Sequence, residues 1–101
     1  MQPLRQGDVL ISPIHDNFNL SLNHQLPHLV LAEGEATGHR HQISQGEAEL
    51  YQQQGQLYLK VISETATLTH EEHHAVKIPR GTWLVRRQRE YQQEGWRYVG
   101  D

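Results

Sequence analysis

The sequence contains no cysteine, which excludes a disulfide framework and any metal site built from thiolates. A metal ion bound by this chain must therefore be held by imidazole, carboxylate or water. Hydrophobic residues make up only 36% of the 101 residues, and no apolar run approaches the length that spans a membrane. Residues 1–10 also lack the apolar core of a signal peptide. We therefore expect a cytoplasmic protein with no membrane partner.

Positive charge is scarce as well. Nine Lys and Arg residues stand against twelve Asp and Glu residues, for a formal net charge of -3. General nucleic-acid binders are basic, so nucleic acid is not an expected partner. The basic and aromatic stretch at residues 86–98 is interrupted by Glu90 and Glu94, which favours a solvated surface. The length of the chain predicts one domain, residues 1–101.

Short segments of alternating apolar and polar residues, separated by glycine and proline, recur along the chain. No segment has a sustained 3.6-residue period, which argues against a helical protein. The pattern predicts an all-β fold, a small antiparallel barrel or sandwich of short strands. Strands are expected at residues 9–11, 28–32, 39–44, 48–51, 57–61, 65–70, 83–85 and 96–99.

The connections between these strands are also predicted from the sequence. Residues 15–27 form a polar loop, and residues 52–55, ending in glycine, indicate a hairpin turn. Residues 79–81, Pro-Arg-Gly, predict a second turn between strands. The charged and Gln-rich residues 86–94 are expected to include a helical turn.

Eight histidines are the most distinctive feature of the composition. His39 and His41 are one residue apart, so on a strand their side chains share a face. Ile43 falls on the same face, which predicts that this face is buried. Leu68 and His70 share a face in the same way. Three histidines are therefore predicted to point toward the interior of one small domain.

Clustered imidazoles of this kind suit zinc, iron or nickel. We predict His39 and His41 as two ligands of a divalent metal ion, with His70 or His74 as the third. Two histidines and a carboxylate would indicate a non-haem iron type of site, whereas three histidines fit zinc or nickel. The candidate carboxylates are Glu33, Glu35 and Glu47.

The position of the third histidine depends on the conformation of residues 70–74. On a strand, His73 and His74 point to opposite faces, so only one of them can join the site. In a helical turn, His70 and His74 share a face and become the pair. Both alternatives are compatible with the sequence.

The segment Gly34…His39-Arg40-His41…Glu47 resembles the first metal motif of the cupin superfamily, and Pro79-Arg80-Gly81 resembles the Pro-x-Gly turn of its second motif. The resemblance spans roughly residues 34–88. It implies a small β-barrel whose metal pocket includes His39, His41 and Glu47. Leu84 stands where the second motif has a histidine ligand, so the resemblance implies a pocket without implying an activity. The whole chain, with its Gln-Gly-Asp-Val start, also resembles small uncharacterised bacterial proteins rich in histidine.

Two functions follow from these observations. The first is a metal-binding protein with a histidine-lined pocket, able to admit a small-molecule ligand, whose metal is either catalytic or structural. The alternative is a non-enzymatic protein-interaction module with a polar, Gln- and His-rich surface and no metal. Under either hypothesis the exposed edge strands of a small sheet favour a homodimer formed by strand pairing.

Overall fold

The computed structural model describes residues 1–92 and 95–98 of the chain. It confirms the all-β prediction, with nine strands and one short 3₁₀ turn in the described part, Leu22–His24. No helix in these residues is long and apolar enough to cross a membrane. The strands are β1 Leu4–Gln6, β2 Val9–Ile14, β3 Val30–Glu33, β4 Arg40–Gln45, β5 Ala48–Gln53, β6 Gln56–Thr69, β7 Val76–Arg87, β8 Arg89–Gln92 and β9 Gly95–Tyr98.

Seven strands form one antiparallel sheet in the order β1-β2-β7-β6-β4-β3, and β5 also pairs with β6. The 14-residue β6 is long enough to pair with β5 through its first half and with β4 through its second half. The end strands β1 and β3 are not paired with each other in the described ranges. The sheet is therefore open, and the barrel alternative is not realised.

The open sheet curls over a single core. Gln6 on β1 donates a hydrogen bond to the carbonyl of Leu68 on β6, although two other strands separate β1 from β6 in the sheet. The buried apolar side chains lie on this concave face. They include Val9, Ile11, Leu50, Leu59, Leu68, Ile78 and Trp83.

The predicted burial pattern of the histidine-bearing strands is confirmed. His41 is fully buried and Ile43 is partly buried, whereas Arg40 before His41 and Gln42 after it are exposed. On β6, Ala66 and Leu68 are buried, and His70 directly after this strand is 8% exposed. The histidines therefore point into the core, as the alternation requires.

The turn predictions had mixed outcomes. The hairpin at residues 52–55 is confirmed: Gln54 and Gly55 connect β5 to β6 with φ values of 53° and 74°, as a tight hairpin turn requires. Residues 79–81 are not a turn between strands, because β7 runs straight through them. They lie opposite an irregularity in β6 between Val61 and Thr65. The strand continues across this irregularity, so the strands predicted at 57–61 and 65–70 are parts of one long strand.

The C-terminal predictions also changed. No helical turn forms at residues 86–92, because β7 continues to Arg87 and β8 follows at once. Residues 93–94 lie outside the described part. The strand predicted at 96–99 is present as β9, but it pairs with β8 in a separate two-stranded sheet and does not extend the main sheet. Residue 99 is likewise outside the described residues.

Candidate metal centre

The hairpin of β3 and β4 delivers His39 and His41 to one end of the core. Gly34 donates a backbone hydrogen bond to the His39 carbonyl at 2.8 Å, which closes the loop before β4. Gly38 has φ 72°, a conformation that glycine adopts without steric cost. In the pairing of β3 with β4, Ala32 lies opposite His41. The hairpin thus buries the imidazole of His41, while that of His39, 29% exposed, lies at the edge of the core.

His70 begins the connection between β6 and β7. Its Nδ1 accepts a hydrogen bond from the backbone N–H of Glu72 at 3.0 Å, which turns the chain away from β6. Residues 70–75 are therefore neither strand nor helix. In this bend the partly buried His73 turns toward His70, whereas the side chain of His74 is exposed.

Four imidazole rings form one cluster with His70 at its centre. The centroid of the His70 ring lies 5.6 Å from that of His39, 4.2 Å from that of His41 and 4.6 Å from that of His73. The structure therefore brings together His39, His41 and His70, as predicted from the sequence. It adds His73, which follows His70 by three residues in the sequence.

Two of the predicted ligands lie outside this cluster. Glu47 is in the turn between β4 and β5, where its backbone N–H donates to Ser63 Oγ at 2.8 Å. Ser63 and His70 are seven residues apart, about 23 Å along an extended strand. His74 contributes only its backbone carbonyl, which accepts a hydrogen bond from the Gln6 amide at 2.8 Å. The carboxylates near the cluster are instead Asp8, Glu71 and Glu72.

The outer part of the cluster gathers His39, His70 and Glu71, which we call the rim site. One donor atom from each of these residues lies within 4.8 Å of the others. Glu71 is oriented by the backbone N–H of Arg40, which donates to its Oε1 at 2.9 Å. That hydrogen bond is the main reason the pKa of Glu71 is lowered, and the nearby His39 and His70 lower it further. The rim carboxylate is therefore ionised at neutral pH.

Glu72 also contacts a residue of the rim site. Its Oε1 lies 2.8 Å from His39 Nδ1, the distance of an ion pair. The approach is nevertheless not aligned for an N–H···O bond, since this buried Nδ1 has no hydrogen-bond partner among the described residues. The two groups therefore attract each other only when His39 is protonated.

The inner part of the cluster is organised by Gln6. Its Nε2 donates to the carbonyls of Leu68 at 2.9 Å and His74 at 2.8 Å, so the orientation of the amide is defined. Its Oε1 therefore faces His41 Nδ1, 2.9 Å away, and must accept the hydrogen of that nitrogen. His41 is thereby held as the tautomer that carries a hydrogen on Nδ1.

The family described as "Domain of unknown function (DUF8820)" matches residues 5–88. The chain belongs to the DUF8820 family. No curated protein and no solved structure matches it. The matched range of the DUF8820 domain contains Gln6 and Asp8 as well as every histidine of the cluster.

Sequence reasoning did not identify Gln6, Asp8 or Glu71 as parts of the DUF8820 site, and it left open whether His73 or His74 joins it. The His70-Glu71-Glu72-His73 spacing was visible, but strand and helix geometry gave no reason to prefer His73 over His74. Asp8 carried a weaker signal, a charged residue directly before the buried strand β2. Nothing in the sequence indicated that β1 would bring Gln6 across the sheet to His41.

Two surface grooves of the DUF8820 domain lie away from the histidines. One, of about 460 Å³, is lined by residues that include Leu31, Leu57 and Val85. The other, of about 490 Å³, is lined by residues that include Lys60 and Thr82. Neither lining includes an imidazole, so a ligand in a histidine-lined pocket stays a prediction.

Proposed function

We propose that the DUF8820 domain binds a divalent transition-metal ion at the rim site. The observation that carries this proposal is the approach of three donor atoms, from His39, His70 and Glu71, to within 4.8 Å of one another. Ligands of a tetrahedral zinc ion lie about 2.0–2.2 Å from the metal and hence about 3.4 Å apart. Small side-chain movements therefore suffice to close the rim site around an ion.

Two imidazoles and one carboxylate suit Zn²⁺ and Fe²⁺, and nickel also accepts imidazole ligands. Glu71 is exposed, so an ion at the rim site keeps coordination positions open to solvent. Open positions are typical of catalytic rather than structural metal sites. Activation of a bound water molecule or of O₂ is the chemistry that such an ion supplies, in the cytoplasmic protein that the sequence predicts.

Metal binding by His70 requires the loss of one hydrogen bond. Its Nδ1 accepts the Glu72 N–H, so a neutral His70 ring carries its hydrogen on Nε2. An ion bound at Nε2 requires the ring hydrogen to move to Nδ1, and an ion bound at Nδ1 occupies the lone pair there, so in both cases the Glu72 N–H loses its acceptor. The lost hydrogen bond costs about 1 kcal/mol. Structural zinc sites gain about 10–16 kcal/mol, so this cost does not oppose binding.

The test combines elemental analysis of purified protein with melting curves in the presence and absence of a chelator. A site filled at 100 times its Kd adds about 2.7 kcal/mol to the free energy of unfolding. For a domain of this size that corresponds to a rise of about 10–20 °C in Tm. His39→Ala, His70→Ala and Glu71→Gln should each abolish most of this rise.

His24→Ala and His74→Ala are the matched controls, because both side chains are exposed and outside the rim site. They should keep the metal and the Tm rise. If no metal copurifies and added Zn²⁺, Fe²⁺ and Ni²⁺ leave Tm unchanged, the proposal is wrong. The alternative of a metal-free interaction module would then be the better hypothesis.

A homodimer formed by strand pairing is part of the same proposal. It is supported by the open sheet, since β1 and β3 end the described sheet without a partner strand on their outer sides. Such edges offer unpaired N–H and C=O groups to a second chain. Light scattering coupled to size-exclusion chromatography should give twice the monomer mass, and a monomer mass at all concentrations would contradict the dimer.

A further inference from the structure

Asp8 carries a buried carboxylate oxygen whose role the rim site does not explain. The residue is 1% exposed and lies directly before β2. Its Oδ2 accepts a hydrogen bond from Arg87 Nε at 3.0 Å and forms an ion pair with Arg87 Nη2 at 2.8 Å. Its Oδ1 has no hydrogen-bond partner among the residues that the structure describes. A buried polar atom without a partner is uncommon and costly, and it often marks the place of an ion or water.

His41 stands opposite this oxygen. Its Nε2 lies 3.6 Å from Asp8 Oδ1, and both side chains are fully buried. This separation exceeds the 2.7–3.2 Å of a typical N–H···O bond. It is close to the distance of about 3.4 Å between two ligands of one tetrahedral metal ion. Because Gln6 holds the hydrogen of His41 on Nδ1, Nε2 is the nitrogen that can coordinate.

His73 brings a third donor to the same end of the core. Its Nε2 is buried and has no hydrogen-bond partner within the described ranges. Its ring is nearly parallel to that of His41, at 16° and 5.9 Å between centroids. Gly7, the residue before Asp8, packs against the same nitrogen so closely that an added Cβ would lie 2.6 Å from it. The chain thus places His73 beside the Gly7-Asp8 turn.

We propose that Asp8 Oδ1, His41 Nε2 and His73 Nε2 form a second cation position, the inner site, which binds a divalent transition-metal ion of the zinc class. Two of its donors are imidazoles and one is a carboxylate, the same ligand types as at the rim. Arg87 holds the carboxylate, and Gln6 holds the imidazole of His41. These two contacts are the outer-shell support that metal ligands in proteins typically have.

The inner site shares no ligand with the rim site, so the two proposals can fail separately. The probe is Zn²⁺ alone, added to metal-free protein, with bound zinc per chain measured by equilibrium dialysis and elemental analysis. Wild type should bind two ions. Asp8→Asn and His73→Ala should each bind one ion, at the rim, and Glu71→Gln should bind one ion, at the inner site.

NMR of the imidazole nitrogens locates the ions in wild type, so the inference does not depend on Asp8→Asn folding. On Zn²⁺ saturation, the Nε2 signals of His41 and His73 should shift while His41 keeps its hydrogen on Nδ1. If His41 and His73 are unchanged while His39 and His70 shift, the inner site is wrong and the rim site stands. The reverse pattern refutes the rim site and leaves the inner one. Two ions retained in Asp8→Asn would also overturn the inference.

Discussion

Gln6 offers the sharpest test of how the histidine cluster is built into the core. Its side chain is 2% exposed and makes three hydrogen bonds, to His41 Nδ1 and to the carbonyls of Leu68 and His74. Gln6→Leu keeps a similar volume but removes all three bonds. The imidazole and the two carbonyls would then lack partners, at about 1–3 kcal/mol for each fully buried group.

We expect Gln6→Leu to lower the free energy of unfolding by about 3–6 kcal/mol, since the partly exposed His74 carbonyl can recover a bond to water. This is a large share of the roughly 5–15 kcal/mol that stabilises a typical domain. The corresponding fall in Tm is at least about 12 °C. Urea denaturation should show a lower midpoint with an unchanged m-value.

Gln42→Leu is the matched control, because Gln42 is exposed on β4 directly beside His41. Its effect should stay within about 0.5 kcal/mol. If Gln6→Leu lowered the free energy of unfolding by less than about 1 kcal/mol, the reasoning would be refuted, because the Gln6 amide would then not hold the cluster in place.

Three further predictions address the cluster, its proton balance and the core. Gly7→Ala should cost more than the roughly 1–3 kcal/mol of its positive φ, because the new Cβ meets the His73 ring. Gly55 also has a positive φ, 74°, but an added Cβ would meet no other atom, so Gly55→Ala should show the backbone cost alone. If Gly7→Ala and Gly55→Ala lowered the free energy of unfolding equally, the contact of Gly7 with His73 would be contradicted. Zn²⁺ binding to wild type should release protons into weakly buffered solution, and His70→Ala should reduce the release measured with a pH indicator. Burial, the hydrogen bond to Glu49 and the charge of Glu49 raise the pKa of Tyr51 to about 12. Because an unfolded tyrosine ionises near 10, this contribution to stability is complete below about pH 10 and is lost as pH rises through about 12. Tyr51→Phe should remove it, and alkaline denaturation curves of equal steepness for both proteins would count against it.

Much of the fold follows from alternation in the sequence. The inward positions of His41, Ala66 and Leu68 were predictable, because a strand with one apolar face has only one way to bury it. Strand continuity was not predictable, because residues 62–64 break the alternation on β6 although the strand continues through them. Residues 79–81 were predicted to be a turn because proline and glycine usually interrupt strands, yet β7 continues through them.

The candidate site was predictable only in part. His39, His41 and His70 were identified because each shares a face with apolar residues. Glu71 was missed, and His73 could not be chosen over His74, because their positions depend on a bend held by a hydrogen bond from the Glu72 N–H to His70. Gln6 and Asp8 were missed because they reach the histidines through the curl of the sheet, over separations of 35 and 33 residues from His41. Local patterns carry no information about such contacts.

The most direct test of the metal centre is an anomalous difference map, recorded at the zinc absorption edge from crystals of zinc-loaded protein. The account predicts a peak within bonding distance of His39, His70 and Glu71. A peak beside Glu47 or His74, or no peak near the four clustered imidazoles, would contradict it.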